Sequence, residues 1–566
     1  MLSRAASLLG ARRSVGFAWA GLVALDLGAR ATYLAPRLIT ARGALNYLAA
    51  AIVLAIALRL LAIAAHARRV WLYALVVAFP ITVQWGVFRA YGTFIAPADL
   101  AAFADSPRVV FAASGQGLSL AAPLGFALAL ACAWLLPREA RPLRWWALAP
   151  SAAAVLGAAF LGSVYWRASP TLEHPLPALS CAVAGLLERE GARAGGARAS
   201  VPKDPATEPL PSIVMVVGES LAASHLGVYG YERDTTPRLR AIVDRGELLV
   251  MKDASVMGPN TRASVPYILT GVEGPDPDGR VARAPTVIEY AKSRGYHTAF
   301  VSAQEESWGA LDAMFREGAD TFLTGIRFAP EVGVLKGADD LVVLEQGVLP
   351  VLEKIEPPFF VVLHMDGSHV PYGTHSPASH KVFAEDGVNS VGAYDNTVRV
   401  TDEYLARVYD AVRAKDPGAW VFFTSDHGQP LGEGGAFFNH GYQSNVVRDP
   451  LLVFAPKDAD RARWAELTSA QVSACDLAPT VLHLMKAKQA APMDCVDWLD
   501  RVPAARTRVV SAYTPTWVSE PTMLLLLPDG ERALYELQHG TVVMNDGAER
   551  PMSELGVPPS IGRRLH

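Results

Sequence analysis

Hydrophobic positions are spread unevenly along this chain. Up to residue 167 they come in long uncharged runs. No charged side chain falls between Arg69 and Arg89, between Arg108 and Arg138, or between Arg144 and Arg167. Each gap can hold the roughly 20 apolar residues that cross a bilayer. A fourth run, 44–65, carries Arg59 near one end, where its stem can snorkel to the headgroups. A fifth, 15–35, contains Asp26 and Arg30, whose i, i+4 spacing puts both on one helix face, to neutralise each other or to face neighbouring helices. The pattern therefore predicts an N-terminal bundle of five transmembrane helices, at about 15–35, 44–65, 70–88, 117–137 and 145–166. A cleaved signal peptide would not need the later runs.

Basic residues fall on alternate connections. Arg4, Arg12 and Arg13 precede the first span, Arg68 and Arg69 follow the second, and Arg138, Arg141 and Arg144 follow the fourth. The positive-inside rule puts these clusters and the N-terminus in the cytoplasm, and everything after Arg167 outside. The connection 91–116, with Asp99 and Asp105, is long for a turn and reads as an amphipathic connector or as a surface for a lipid headgroup.

Beyond residue 167 the pattern changes. A short helix is expected near 179–190, then a Gly-, Ala- and Pro-rich tether, so that 168–210 forms a bridge. From 211 to 566 short apolar runs alternate with helical periods. SIVMVVGES, TAFVSAQ from Thr298, PFFVVLHMDGSH from Pro358, AWVFFTSDHG from Ala419 and PLLVFAP from Pro450 have the continuous apolar character of buried parallel strands. PTVIEYAKSRG, NTVRVTDEYLARVYDAVRAK and SACDLAPTVLHLM read as helices between them. This alternation predicts an α/β doubly wound sheet, in which ligands bind beyond the C-terminal ends of the strands. From about residue 508 short strands and turns predict a small antiparallel piece.

Composition agrees with this division. Of 566 residues, 51% are hydrophobic and 19% charged, too apolar for a wholly soluble chain. The net charge of −4, without a Lys/Arg block, argues against a nucleic-acid partner. Of the four cysteines, Cys132 falls in the fourth span. Cys181, Cys475 and Cys495 would face an oxidising compartment, where a Cys475–Cys495 bridge is one pairing that the sequence allows without establishing it.

Candidate chemistry sits at the strand ends: Glu219 in VVGES, His364 and His369 in LHMDGSH, Asp426 and His427 in TSDHG. A carboxylate at one strand end with Asp-His at another is a reasonable zinc ligand set with a position left open. His440, after the Gly-rich run LGEGGAFFN, offers a further imidazole. In MGPNTRASVPYILTG, Gly258, Pro259 and Asn260 form a turn and Thr261 opens an apolar helix. Taken alone, Thr261 reads as a helix cap. Beside a metal it reads as a nucleophile, because a threonine hydroxyl needs activation to attack at neutral pH.

With VVGES, YGYERDTTPRL, NTRASVPYILTG, HMDGSHVPYG, YDNTVRVTDEYL, TSDHGQPLGEGG and NHG in this order, the chain resembles the membrane-anchored phosphoethanolamine transferases of the alkaline phosphatase and sulfatase superfamily. The resemblance implies five N-terminal spans in the bacterial inner membrane and a periplasmic catalytic domain. It implies that Glu219, Thr261, Asp426 and His427 are zinc ligands, that Thr261 is also the residue that becomes phosphoethanolaminylated, and that His369 and His440 bind the transferring phosphate or a second zinc. Phosphatidylethanolamine would be the donor, and lipid A, lipopolysaccharide or another envelope glycan or glycolipid the acceptor. Threonine at 261 cannot become formylglycine, which disfavours the usual route of sulfatases. Many members of the family carry Glu after DHG, where this chain has Gln429; this leaves the donor headgroup open. A phosphoglycerol transferase of the lipoteichoic acid synthase type, a membrane-anchored phosphodiesterase and a lipid-binding pseudoenzyme are the competing readings.

Overall fold

The computed structural model describes residues 198–276, 279–306, 311–329, 337–433, 441–514, 517–536, 541–544 and 549–550, with scattered positions between 16 and 127. The chain divides into two compact units, 1–194 and 195–566.

In the first unit residues 19–28 are helical. Asp26 is buried there and accepts a hydrogen bond from the Tyr47 hydroxyl at 3.0 Å, while Trp19 Nε1 donates to Ala51 O at 2.7 Å. The carboxylate thus meets a phenol from the segment of the second expected span. Among the described residues no helix is long and apolar enough to cross a membrane. The expected spans at 70–88 and 145–166, the 91–116 connection and the helix near 179–190 lie outside the described residues, and the other three spans are described only in part.

The second unit is built on a seven-stranded sheet of order β2-β8-β7-β1-β6-β4-β5. Its strands are β1 (Ile213–Gly218), β2 (Leu249–Met251), β4 (His297–Ser302), β5 (Thr321–Leu323), β6 (Phe359–His364), β7 (Trp420–Ser425) and β8 (Leu451–Phe454). β7, β1, β6, β4 and β5 run parallel. β8 departs from expectation: it runs antiparallel to β7, and β2 antiparallel to β8. An apolar run reports burial on both faces and carries no information about direction. Alternate residues of β1 point to opposite faces. Ile213, Met215 and Val217 join one core, and Val214 and Val216 the other. On the first face lie α2 (Thr261–Thr270), α3 (Val287–Ser293) and α5 (Leu477–Leu484); on the second lie α1 (Pro237–Asp244) and α4 (Val391–Lys415). The sheet is therefore covered on both sides, as the alternation of strand and helix patterns predicts.

Two smaller sheets complete the unit. β3 (Asp253–Ser255) pairs with β9 (Gln471–Ser473), and β10 (Arg508–Thr514), β11 (Trp517–Leu526), β12 (Arg532–Glu536), β13 (Thr541–Met544) and β14 (Glu549–Arg550) form an antiparallel sheet. Ser511 N donates to Met257 O at 3.0 Å, and Val510 and Leu524 pack on Val256, so this sheet props the segment that leads into α2. Cys475 and Cys495 form a disulfide. The stretch read as a tether is docked from Arg198 onward. Arg198 pairs with Glu289 at 2.5 Å, Asp204 N and Ala206 N donate to Ser293 O and Arg294 O, and Val201 packs on the core. Its Pro and Ala content suits an extended edge as well as a free linker.

Candidate metal centre and nucleophile

The register of the parallel strands explains why the distant motifs meet. Gly218 of β1 is paired with Ser425 of β7, so the next residues, Glu219 and Asp426, leave adjacent strand ends side by side. Val217 is paired with His364, the last residue of β6, on the other flank of β1. Three of the sequence-predicted residues thus gather at the C-terminal edge of the sheet, on the strands that carry ligands in such folds.

Glu219, Asp426 and His427 are buried, and each offers a ligand atom within 4.8 Å of the others. His427 Nδ1 lies 2.8 Å from Gly428 O and donates to it, which turns Nε2 toward Glu219 Oε1 at 3.3 Å and Asp426 Oδ2 at 3.2 Å. Asp426 Oδ1 accepts from Ser220 N and His427 N, while among the described residues Oδ2 is buried without a hydrogen bond. Glu219 Oε1 accepts from Ser220 Oγ at 2.5 Å, and Oε2 from Thr261 Oγ1 at 3.0 Å and Gln304 Nε2 at 2.9 Å.

Burial opposes charge on His427, yet the Asp426 and Glu219 carboxylates beside it push it up to about 9. Burial, then the charge of Glu219, pushes Asp426 up to about 7. Burial also works against charge on Glu219, but the hydrogen bond and charge of His427, the charge of His369 and the Ser220 hydroxyl together hold it well below the usual carboxylate range. Among the described residues no lysine or arginine pairs with either carboxylate. Two buried carboxylates, one imidazole with Nε2 turned inward and one buried oxygen without a donor fit a divalent cation, whose charge would take the place of the proton on His427.

Thr261 is the first residue of α2. Asn260 fills the cap: its backbone is extended, and its side chain accepts from Ala263 N at 3.0 Å. The cap reading therefore belongs to Asn260. Thr261 is half-buried, and its hydroxyl is directed at Glu219.

The remaining expected residues are distributed around this cluster. His364 is buried, with Nδ1 2.6 Å from Glu306 Oε1. Burial lowers its proton affinity, but Glu306 and then the charges of Glu219 and Asp426 push it up to about 9. His369 is half-buried, and Nδ1 lies 2.7 Å from Val370 O. Gln429 is buried and donates through Nε2 to Ser220 Oγ at 3.1 Å. His440, with the rest of 434–440, lies outside the described residues.

Sequence reasoning missed Gln304, Glu306 and Ser220. Gln304 and Glu306 follow β4, whose end carries no imidazole to set its acids apart from ordinary surface carboxylates. Ser220 adopts φ of 58°, a left-handed conformation that costs a non-glycine residue on the order of 1 kcal/mol or more. Tyr394 holds it, its hydroxyl donating to Ser220 O at 2.8 Å and accepting from Ala222 N at 2.7 Å. Two residues of the YGYER motif, Tyr231 and Arg233, contact the buried Asp395, as does the preceding His225.

The sulfatase family model matches residues 211–487, a stretch that contains the whole cluster. This stretch of the chain is a sulfatase-family domain. Over 262 residues, 43% of the chain, it is 26% identical to Kdo(2)-lipid A phosphoethanolamine 7''-transferase of Salmonella typhimurium. Over 306 residues, 48% of the chain, it is 26% identical to phosphatidylethanolamine transferase Mcr-2 of Escherichia coli. These matches cover 44% and 53% of the two proteins, so the chain spans about half the length of these curated relatives. Among solved structures, the integral membrane protein lipooligosaccharide phosphoethanolamine transferase A of Neisseria meningitidis matches with a TM-score of 0.61 at 19% identity, covering 86% of this chain and 99% of that one. That likeness is one of fold. Within the sulfatase-family domain, β1, β6 and β7 carry Glu219, His364, Asp426 and His427, and α2 carries Thr261.

Proposed function

We propose that this chain transfers phosphoethanolamine from phosphatidylethanolamine to lipid A, lipopolysaccharide or another envelope glycolipid, through a covalent intermediate on Thr261. The observation that carries the reading is the 3.0 Å hydrogen bond from the Thr261 hydroxyl to Glu219, inside a cluster that fits a divalent cation. One reported relative is named for phosphoethanolamine transfer to Kdo(2)-lipid A and another as a phosphatidylethanolamine transferase, and threonine suits a phosphorylated intermediate.

Glu219, Asp426, His427 and Thr261 would hold the cation, zinc by ligand type. When bound, it supplies Lewis-acid stabilisation of the phosphoryl oxygens and makes the hydroxyl at 261 easier to deprotonate. The chain's own residues set the geometry. Asn260 fixes the first turn of α2 so that Oγ1 faces Glu219 Oε2, and the N-terminal end of this ten-residue helix favours the negative charge of a phosphate. In the first half-reaction the bond from Oγ1 to phosphorus forms as the bond to diacylglycerol breaks, and the threonine's proton ends on the released diacylglycerol. In the second, an acceptor oxygen takes the phosphorus, the bond to Oγ1 breaks, and the acceptor's proton restores the hydroxyl. His369 and His440 would steady the phosphate, a role supported by their place in the motif order.

The membrane placement belongs to the same proposal: a multi-pass inner-membrane protein with a cytoplasmic N-terminus and a periplasmic catalytic unit. It is supported by the uncharged N-terminal runs and by the Cys475–Cys495 disulfide, which suits an oxidising compartment. Both lipid substrates would then lie in the surface that anchors the enzyme.

Release of diacylglycerol from labelled lipids tests the reading. Purified chain with zinc is expected to release it from phosphatidylethanolamine, with Thr261→Ala inactive. Preference for phosphatidylglycerol would make it a phosphoglycerol transferase, and free phosphoethanolamine at full rate without acceptor would make it a phosphodiesterase; either contradicts the proposal.

A further inference from the structure

The carboxylate of Glu219 is held by neutral amides on both sides. Gln304 Nε2 lies 2.9 Å from Glu219 Oε2 and 2.8 Å from Met365 O, so its two protons are both engaged. Met365 N in turn donates to Val217 O of β1, so this amide ties the carboxylate to backbone fixed in the sheet. On the other side, Gln429 Nε2 donates to Ser220 Oγ at 3.1 Å, and that hydroxyl donates to Glu219 Oε1 at 2.5 Å. Gln429 is fully buried, and among the described residues its Oε1 has no hydrogen-bond partner. A buried amide left half-satisfied costs free energy that an apolar side chain of the same shape would avoid. Its donor face therefore needs a reason to be there.

Charge supplies the reason. Lysine or arginine at 304 would neutralise Glu219 and compete with a cation, and a carboxylate there would repel Glu219. An amide can orient the carboxylate without altering its charge. Behind Gln304, His364 Nε2 lies 3.4 Å from the amide nitrogen, and Glu306 fixes the ring through Nδ1 while accepting from Ser302 Oγ at 2.6 Å. Gln304 thus rests against a buried side-chain chain that ends in β4.

We propose that Gln304 and Gln429 are positioning residues that fix the carboxylate plane of Glu219 before a cation binds, Gln304 directly on Oε2 and Gln429 through Ser220 on Oε1. The proposal rests on the cation reading above and adds the residues that prepare the site. Residues that orient a metal ligand through hydrogen bonds commonly set affinity by about 10- to 100-fold.

The test is zinc titration of the full chain against a competing chelator, with the thermal midpoint of the zinc-free protein measured alongside. Gln304→Met and Gln429→Met keep bulk and lose the amide. Each is expected to weaken zinc binding by about 10-fold while the zinc-free midpoint stays near that of the parent. Gln304→Asn, one methylene too short, and Gln429→Leu, of similar bulk and without a donor, are expected to give the same loss and serve where a methionine variant fails to fold. Zinc affinity within about two-fold of the parent in these variants overturns the proposal, with or without a fall in midpoint. Asp426→Ala separates the two levels. If it loses zinc while the glutamine variants keep it, positioning alone fails; if it binds zinc like the parent, the cation reading fails and the positioning proposal with it.

Discussion

Glu219 is the residue on which the site's geometry converges. Its side chain meets Thr261, Ser220, Gln304 and His427, and its backbone is packed as tightly. Ser368 N donates to Glu219 O at 2.9 Å, and Gly367, at φ of 53°, lies so close that an added Cβ would fall 2.6 Å from Glu219 O and 2.9 Å from its N. These neighbours are backbone atoms and cannot swing aside. Gly367→Ala is therefore expected to cost about 1–3 kcal/mol and to displace Glu219. Thermal unfolding and zinc titration check it: a lower midpoint with weakened zinc binding is the expected pair, and an unchanged midpoint would show that the loop relaxes freely. The glycine of HMDGSH was legible as part of a motif, but its steric cause was not, because the contact is made across the sheet with β1.

At the scale of elements, strand ends do most of the positioning, and they are stabilised by buried acids that are not part of the cation cluster. Asp449, just before β8, accepts from Ser425 N at 2.9 Å and from the Thr424 hydroxyl at the end of β7, and burial pushes it up to about 7 from 3.8. A carboxyl whose folded pKa is raised adds stability that is fully present below its unfolded value and is lost as pH rises through about 7. Asp449→Asn is thus expected to lose less of its thermal midpoint than the parent between about pH 5 and pH 8. Equal pH slopes for variant and parent would show that Asp449 stays ionised in the fold. The strands and helices themselves were readable: the five apolar runs became β1, β4, β6, β7 and β8, and the helical periods became α3, α4 and α5. The direction of β8 was not readable, since it depends on how the chain returns after 441–449. Nor was the docking of 198–206 along α3, which rests on backbone hydrogen bonds, one ion pair and one apolar contact that together make no periodic pattern.

On the scale of the whole molecule, the sequence separates an apolar N-terminal part from a sulfatase-family domain, and the structure divides the chain into units at 194/195. The candidate site was legible because Glu219, Asp426 and His427 follow apolar strands directly, so that a linear pattern of strand end plus acid or imidazole maps onto one edge of the sheet. Of its supporting amides, Gln429 was visible in the sequence only as a departure from the family's Glu and Gln304 not at all, because neither carries a metal-binding signature and both take their meaning from register. Central to the account is Thr261 as carrier of a lipid headgroup. Mass analysis of the peptide containing Thr261, after the zinc-loaded chain is incubated with phosphatidylethanolamine and no acceptor, tests this most directly. The account predicts a phosphoethanolamine adduct on Thr261 that disappears when lipid A is added and is absent from Glu219→Ala. Diacylglycerol release with an unmodified Thr261, or an adduct on a different residue, would contradict it.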